Sequence, residues 1–143
     1  HMEFTWTKGK TGIDGCRLVR KKVFVEEQGF SEENEFDETD SLALHLLMSD
    51  GGKPVGAARI FPGADRCWHI GRLCVLAEYR GRQLGKLLLE EAEAEARRQG
   101  ALRVELGAQK RASGFYQGCG YTPCGAEYMD EFCPHLPMGK DLS

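Results

Sequence analysis

Residues 70–100 read IGRLCVLAEYRGRQLGKLLLEEAEAEARRQG and predict, in order, a strand, a turn and a helix. The run Ile70–Val75 has the length and apolar character of a short strand. Tyr79–Gly85 contains two glycines and predicts a turn. From Leu84 onward the apolar residues recur at the spacing of an amphipathic helix. Gly100 stands where a residue in the left-handed conformation commonly ends a helix.

The turn before this helix is basic. Arg80, Arg82 and Lys86 occupy it without any acidic residue, whereas several glutamates follow further along the helix. The helix dipole alone would favour the reverse arrangement, because the N-terminus of a helix carries partial positive charge. Free backbone N–H groups and cations at a helix N-terminus form an anion site, most often for phosphate. The alternative is a solvated basic turn that binds nothing.

The remainder of the chain alternates between strand and helix patterns. Asp14 is a candidate N-cap for a helix that runs to about Val25, and Ser113 is one for a short later helix. Gly51-Gly52 predicts a hairpin turn between two strands. The predicted strands are Glu3–Lys8, Leu42–Met48, Val55–Phe61, Cys67–Val75, Ala101–Ala108 and His135–Lys140.

The order of these elements predicts the fold class. A strand that leads into a helix and returns as Ala101–Ala108 indicates a βαβ crossover, and therefore a locally parallel pair of strands. The length suits a single α/β domain, with a mixed, twisted sheet of about six or seven strands and helices on both faces. We expect the domain to span residues 3–143, because His1-Met2 resembles the remnant of a cleaved expression tag.

Acidic residues are concentrated between Glu26 and Asp40. This segment has no core periodicity and predicts a helix end followed by a loop. Either the loop is a solvated surface, or it forms an electronegative wall that faces a cationic substrate. Arg59, on a neighbouring strand, is expected to be a surface or rim charge, and His69 is expected to be structural.

Composition argues against several function classes. The net charge of −3 and the pI near 5.8 argue against broad nucleic-acid binding. The sequence contains no signal peptide and no apolar run of about 18 residues, so we expect a soluble, cytoplasmic protein without membrane contact. The cysteines are expected to be reduced thiols. Cys119, Cys124, Cys133 and His135 could be combined into a zinc site, but their spacing matches no common zinc module, so we expect no metal.

Several segments together resemble the GNAT N-acetyltransferases, and in particular their YjcF/ElaA-like bacterial subgroup. Arg80–Gly85 is similar to the pyrophosphate loop of that family, Q/R-x-x-G-x-G/A. Gln109–Tyr116, followed by Gly120-Tyr121, is similar to the signature N-x-x-A-x-x-F-Y…G-F. Val23–Gln28 and Pro134-His135 resemble the bacterial subgroup. The resemblance covers nearly the whole chain and implies a GNAT-like fold.

The resemblance implies that acetyl-CoA is the acyl donor. Its pyrophosphate would bind the basic turn, and its pantetheine arm would pair with an unpaired strand edge, as a peptide does. A backbone N–H of Cys74 or Val75 would then stabilise the oxyanion. Gln83 replaces the first glycine of the loop motif, and Gln109 replaces the asparagine of the later one. The implied cofactor-binding residues are Leu73, Cys74, Val75, Arg80, Gly81, Arg82, Gln83, Leu84, Gly85, Lys86, Gln109, Phe115 and Tyr116.

The resemblance also implies that a primary amine attacks the thioester directly in a ternary complex. The departing thiolate needs a proton, and Tyr116 occupies the general-acid position of the family. The implied acceptor-side residues are Glu26, Glu27, Gln28 and His135; Glu26 and Glu27 are candidate bases, with His45, Asp37 and His135 as alternatives. Cys74 is an alternative nucleophile, but no adjacent base would activate its thiol.

Three functions remain open at this point. The first is N-acetylation of a small-molecule, lysyl or amino-terminal amine, and the second is acyl-CoA binding without efficient turnover. The third is binding of an unrelated nucleotide phosphate, which is disfavoured because the turn lacks the Gly-Lys-Ser/Thr end of a P-loop. Dimers are common in the resembling family, so a homodimer is compatible with the first two functions.

Overall fold

An eight-stranded sheet forms the centre of the protein in the computed structural model, which describes residues 1–143. Its order is β1-β2-β3-β4-β5-β8-β6, with β7 paired to β8, and only β4 and β5 run parallel. The strands are β1 Met2–Lys8, β2 Leu44–Asp50, β3 Lys53–Pro62, β4 Cys67–Val75, β5 Arg103–Gln109, β6 Thr122–Pro123, β7 Tyr128–Asp130 and β8 Cys133–Asp141. The helices are α1 Asp14–Arg20, α2 Glu32–Glu35, α3 Leu84–Arg98 and α4 Ser113–Gly118.

The predicted fold class is confirmed, and the central stretch forms the predicted elements. Strand β4 has the predicted bounds, α3 begins at Leu84, and Gly100 has a φ of 93° after the helix end. The crossover through α3 makes β4 and β5 parallel, as predicted. The sheet has more strands than expected because β6 and β7 are very short and carry little alternation.

Helices cover both faces of the sheet. Gly15 of α1 lies against Leu47, whereas Gly56 of β3 lies against Met48 and against Leu88 of α3. Neighbouring residues of a strand point to opposite faces, so α1 and α3 pack on opposite sides of β2 and β3. The helices are therefore held by apolar contacts on both faces.

Two predicted helix starts are wrong by one residue. Asp14 and Ser113 are the first helical residues, and the capping positions belong to Ile13 and Ala112, which make no side-chain cap hydrogen bond. Beyond α1 the chain continues as a π-helical segment, Lys21–Glu27. None of the helices combines the length and the apolar character needed to span a membrane.

Strands β4 and β5 diverge after a short parallel contact. Only Cys67–His69 pairs with Arg103–Glu105, so the later half of β4 has no strand partner on the β5 side. On its other side β4 pairs with β3 through a bulge, where Arg72 has a φ of 51°. The divergence leaves unpaired backbone groups inside the sheet, and these groups need another partner.

Candidate functional site

A large cavity lies where β4 and β5 diverge. Its volume is about 1000 Å³, and it extends from the N-terminus of α3, along Ile70–Val75 of β4, to the segment that contains α2. Strand β5 contributes Leu106, Gly107 and Gln109 to the opposite wall. The cavity therefore follows the unpaired edge of β4 over its whole length.

Most of the residues predicted to form the site line this one cavity. The exceptions are Glu26, which is exposed and lies outside it, and Arg82, whose guanidinium lies 4.9 Å from the centre of the Tyr79 ring. Glu26 belongs to the π-helical segment and Arg82 to the turn before α3, and both side chains are exposed. The predicted residues that line the cavity are Glu27, Gln28, Leu73, Cys74, Val75, Arg80, Gly81, Gln83, Leu84, Gly85, Lys86, Gln109, Phe115, Tyr116 and His135.

The N-terminus of α3 has the properties of an anion site. Its first turn contains no acidic residue, and the capping residue Gln83 provides no side-chain hydrogen bond. The first backbone N–H groups of a helix have no partner within the helix. Gly85 and Lys86 belong to this turn and line the cavity, so a bound anion would meet free N–H groups and a cation.

Gln83 has the left-handed conformation, with φ 59° and ψ 25°. It thus keeps the backbone that suits the glycine of the loop motif, at a steric cost of roughly 1–2 kcal/mol. We expect Gln83→Gly to raise the free energy of unfolding by about 1 kcal/mol, because glycine accepts this conformation without strain. Urea denaturation measures the change, and Gln83→Ala is the control, since it keeps the Cβ atom and should give no gain. A loss of stability in the glycine variant would contradict the argument.

Arg80 connects the loop to two other parts of the cavity. Its Nε donates to the carbonyl oxygen of Val75 at 3.0 Å, and its two terminal nitrogens donate to the Glu27 carboxylate at 2.5 and 2.8 Å. Hydrogen bonding from Arg80 holds the pKa of Glu27 below its usual range. Glu27 is therefore an ionised partner of Arg80 and a weak proton acceptor, which counts against its predicted role as the base.

Tyr116 presents its phenol to the cavity from α4. Its ring packs edge-on against Phe115 and Tyr121, with centroid distances of 5.0 and 5.8 Å. Burial raises the pKa of Tyr116 to about 12, so the phenol keeps its proton at neutral pH. Tyr116 thus combines a packing role with a protonated hydroxyl at the cavity.

Cys74 does not have the surroundings of an active nucleophile. Its side chain is buried, and burial raises the pKa of its thiol well above the usual range. A thiol reacts as the thiolate, which this environment disfavours. None of the cysteines forms a disulfide, and no group of three or more potential metal ligands comes together.

His135 lies on the acceptor side of the cavity, in β8 opposite Gln109. Its side chain is buried, and its ring stacks on Tyr128 with the centroids 5.4 Å apart. The ring Nδ1 lies 3.0 Å from the carbonyl oxygen of Cys133. A carbonyl can only accept, so Nδ1 carries the hydrogen in this arrangement and Nε2 has the free lone pair.

The acidic segment is not a simple solvated loop, because three of its carboxylates, besides Glu27, form ion pairs with arginines. Nitrogen–oxygen distances in this group range from 2.7 to 3.2 Å. Arg59, expected at the rim, is instead buried and pairs with Asp37 and Asp40. The group has equal numbers of positive and negative charges. We call it the charge cluster; its members are Arg20, Arg59, Arg72, Glu35, Asp37 and Asp40.

Four members of the charge cluster line the cavity, namely Glu35, Asp37, Arg59 and Arg72. Sequence reasoning missed the arginines, although both lie in otherwise apolar strands where a buried charge needs a partner. His69, expected to be structural, also lines the cavity and stacks on Phe61 at 5.2 Å.

Comparison with known proteins places the chain in a family. The GNAT acetyltransferase domain matches residues 13–142. YjcF of Bacillus subtilis, an uncharacterised N-acetyltransferase, is 38% identical over 141 residues, which cover 98% of this chain and all of that protein. A candidate N-acetyltransferase from Lactobacillus plantarum has a TM-score of 0.91, with 30% identity and 99% coverage of both chains. Escherichia coli ElaA has a TM-score of 0.87, with 25% identity and coverage of 99% and 100%. With its fold, its cavity and these relatives, the chain belongs to the GNAT acetyltransferase family, whose members use acyl-CoA donors.

Proposed function

We propose that the protein transfers the acetyl group of acetyl-CoA directly to a primary amine. One observation carries this proposal: a single cavity joins an anion site, an unpaired strand edge, the Tyr116 phenol and the carboxylates of Glu33, Asp130 and Glu131. Acetyl-CoA would bind to the anion site and the strand edge, and the phenol would supply the proton that transfer needs. The carboxylates suit a cationic acceptor.

The donor would extend along β4. Its pyrophosphate would meet the N–H groups at Gly85 and Lys86 together with Arg80. The amides of its pantetheine arm would pair with the backbone edge at Leu73–Val75, which has no strand partner there. This placement would bring the thioester toward Tyr116, which lines the same cavity.

The reaction forms one C–N bond and breaks one C–S bond. The acceptor ammonium first loses a proton, and the free amine then attacks the thioester carbon. Collapse of the tetrahedral intermediate expels the CoA thiolate, which gains a proton from the Tyr116 hydroxyl. The raised pKa of Tyr116 makes full transfer to a free thiolate uphill, because an alkyl thiol has a pKa near 8.5. We therefore propose that the proton moves as the C–S bond breaks, and that the amine proton restores the phenol.

His135 is our preferred acceptor of the ammonium proton. Its Nε2 has the free lone pair when Nδ1 donates to Cys133, and its side chain lines the cavity. Glu27 is bound to Arg80, and Glu26 lies outside the cavity. Of the acceptor-side candidates, His135 thus has the most suitable surroundings, with Gln28 beside the same space.

A cationic acceptor fits the acidic residues that line the cavity. The charge cluster is electrically balanced, so it contributes no net charge, despite its three acids. Glu33, Asp130 and Glu131 also line the cavity, and no arginine or lysine forms an ion pair with them. These three carboxylates favour a polyamine-like or lysyl acceptor over an anionic amine.

An amine panel tests the proposed function. Purified protein is incubated with acetyl-CoA and each of a polyamine, a lysyl peptide, an arylalkylamine and an amino-sugar phosphate. Acetylated product is read by mass spectrometry, because the protein's own exposed Cys124 would react in a thiol assay. Turnover of a cationic amine supports the proposal. Tight binding of acetyl-CoA in calorimetry without any product would favour the alternative, an acyl-CoA-binding module.

A pair of arginine variants tests where the donor binds. We expect Arg80→Ala to weaken CoA binding roughly 10- to 100-fold, because a charge-assisted contact is worth about 1.5–3 kcal/mol. Arg82→Ala removes the same charge from the same loop, but Arg82 does not line the cavity. The affinity of this variant for CoA should therefore change less than about twofold. Calorimetric titration with CoA measures both. Equal losses in the two variants would show that general charge, not contact, determines affinity.

A further inference from the structure

The carboxylate of Glu93 joins three parts of the protein behind the cavity. Glu93 lies on α3 and is 4% exposed. One of its oxygens accepts the Tyr121 hydroxyl at 2.7 Å, and the other accepts Lys140 Nζ at 3.0 Å. Lys140 belongs to β8 and also donates to the carbonyl oxygen of Cys119 at 3.0 Å. We call Glu93, Tyr121 and Lys140 the Glu93 junction.

Helix α4 depends on tertiary contacts for its position. It has six residues, none of them fully buried, and its N-terminus has no side-chain cap. Short helices are marginal without tertiary contacts. The ring of Tyr116 packs edge-on against Tyr121, and the carbonyl oxygen of Tyr116 accepts the backbone N–H groups of Cys119 and Tyr121 at 3.0 Å. Each of these contacts leads to the Glu93 junction.

Two further contacts hold Lys140 within the Glu93 junction. Gly120 has a φ of 94°, and a Cβ atom there would lie 3.4 Å from Cε of Lys140, so the lysine stem passes close over the glycine. The ammonium of Lys140 lies 5.6 Å from the centre of the Tyr121 ring. The packing of the Tyr121 ring in the core does not need its hydroxyl, because a phenylalanine would fill the same space. The hydroxyl is what reaches Glu93.

We propose that Glu93 is a positioning residue for Tyr116. By holding both Tyr121 and Lys140, one buried carboxylate fixes α4 against α3 and β8, and thereby fixes the phenol in the cavity. This inference rests on the proposed function, in which Tyr116 donates the proton to the thiolate. It assigns Glu93 no contact with either substrate.

Local hydrogen exchange tests the placement without any turnover. Glu93→Gln keeps the shape of the side chain but cannot accept from both donors. We expect amides in residues 113–121 to exchange roughly tenfold faster in this variant, whereas amides of β2 and β3 stay within twofold. Tyr121→Phe should give part of the same effect. Glu90→Gln, an exposed position on the same helix, is the control and should change neither region. Unchanged exchange in residues 113–121, or uniform acceleration throughout the protein, would overturn the proposal.

A double-mutant cycle tests the link to the reaction. With acetyl-CoA and the fastest amine of the panel, Glu93→Gln should lower kcat roughly tenfold and leave the KM for acetyl-CoA within twofold, because a small displacement of a reacting group is costly. In the Tyr116→Phe background the same change should have less than a twofold effect. A full tenfold loss in that background would show that Glu93 acts by another route. If Tyr116→Phe alone has no effect, the proton-donor assignment fails, and the exchange experiment still decides the role of Glu93.

Discussion

Arg20→Met is expected to lower the free energy of unfolding by about 3–5 kcal/mol, because it removes a buried cation from the Glu35 and Asp40 carboxylates and leaves an excess negative charge in the charge cluster. The side chain of Arg20 is 1% exposed. Its guanidinium donates to the Glu35 carboxylate at 2.9 Å, to the Glu35 carbonyl at 2.7 Å, and to the two Asp40 oxygens at 2.9 and 3.2 Å. Methionine fills the space of the stem but can satisfy none of these oxygens.

Chemical denaturation of the variant and of a matched surface variant measures this effect. Lys10→Met breaks the pair between Lys10 and Glu38, which is exposed, so it should cost about 1 kcal/mol at most. Adding Glu35→Gln to Arg20→Met should recover part of the loss, since two arginines then face two aspartates and the charge cluster is balanced again. A cost for Arg20→Met no larger than that for Lys10→Met would contradict the role of the charge cluster.

Asp40 of the charge cluster contributes a part of the stability that depends on pH. Burial opposes ionisation of Asp40, but hydrogen bonds and charge from Arg20 and Arg59 prevail and hold its pKa below the usual value of 3.8. A carboxyl whose pKa is lowered by folding contributes stability above its unfolded pKa, and this contribution is lost as the pH falls through the folded value. Asp40 therefore contributes fully to stability at neutral pH, and this contribution is lost only in strong acid.

Tyr116→Phe is expected to lower kcat by tenfold or more, since general-acid assistance is typically worth about 10²–10⁴-fold. The phenylalanine ring keeps the packing against Phe115 and Tyr121 but has no proton to donate. Acetyl-CoA binding should remain within a few-fold, and the melting temperature should barely change. Steady-state kinetics with the panel amine, calorimetry with acetyl-CoA and thermal denaturation measure the three quantities.

Thioesters with different leaving groups sharpen this test. An acyl donor whose thiol has a lower pKa needs less protonation, so the loss in Tyr116→Phe should shrink with that donor. Tyr121→Phe removes a hydroxyl of the Glu93 junction but leaves the Tyr116 hydroxyl present, so the dependence on the leaving group should be weaker in that variant. A stable Tyr116→Phe variant with full activity would remove Tyr116 from the reaction.

The sequence was most informative where a local pattern determines the structure. The apolar spacing after Leu84, the glycine at 100 and the strand at Cys67–Val75 each depend on neighbouring residues, and each is confirmed. The basic turn before α3 could be interpreted from its charge alone. The cavity places the predicted loop residues together, apart from Arg82.

The sequence was least informative about the acceptor side. The ion pairs that Arg59 and Arg72 form with the α2 segment join residues that lie far apart in the chain. No local sequence pattern indicates such pairs. The burial of Glu93 was also hidden, because one glutamate among several on an amphipathic helix looks exposed. Bulges and short strands such as β6 and β7 arise from pairing across the sheet, which composition does not encode.

The divergence of β4 from β5 has a consequence for the life of the protein in a cell. A sheet with an interior gap is incomplete, and under the proposed function the coenzyme takes the place of the missing strand. A ligand that binds only the folded state stabilises it by about 2.7 kcal/mol when present at 100 times its dissociation constant. The abundance of the folded protein should then follow the size of the coenzyme A pool. Cells starved of the coenzyme should therefore lose more of this enzyme to proteolysis.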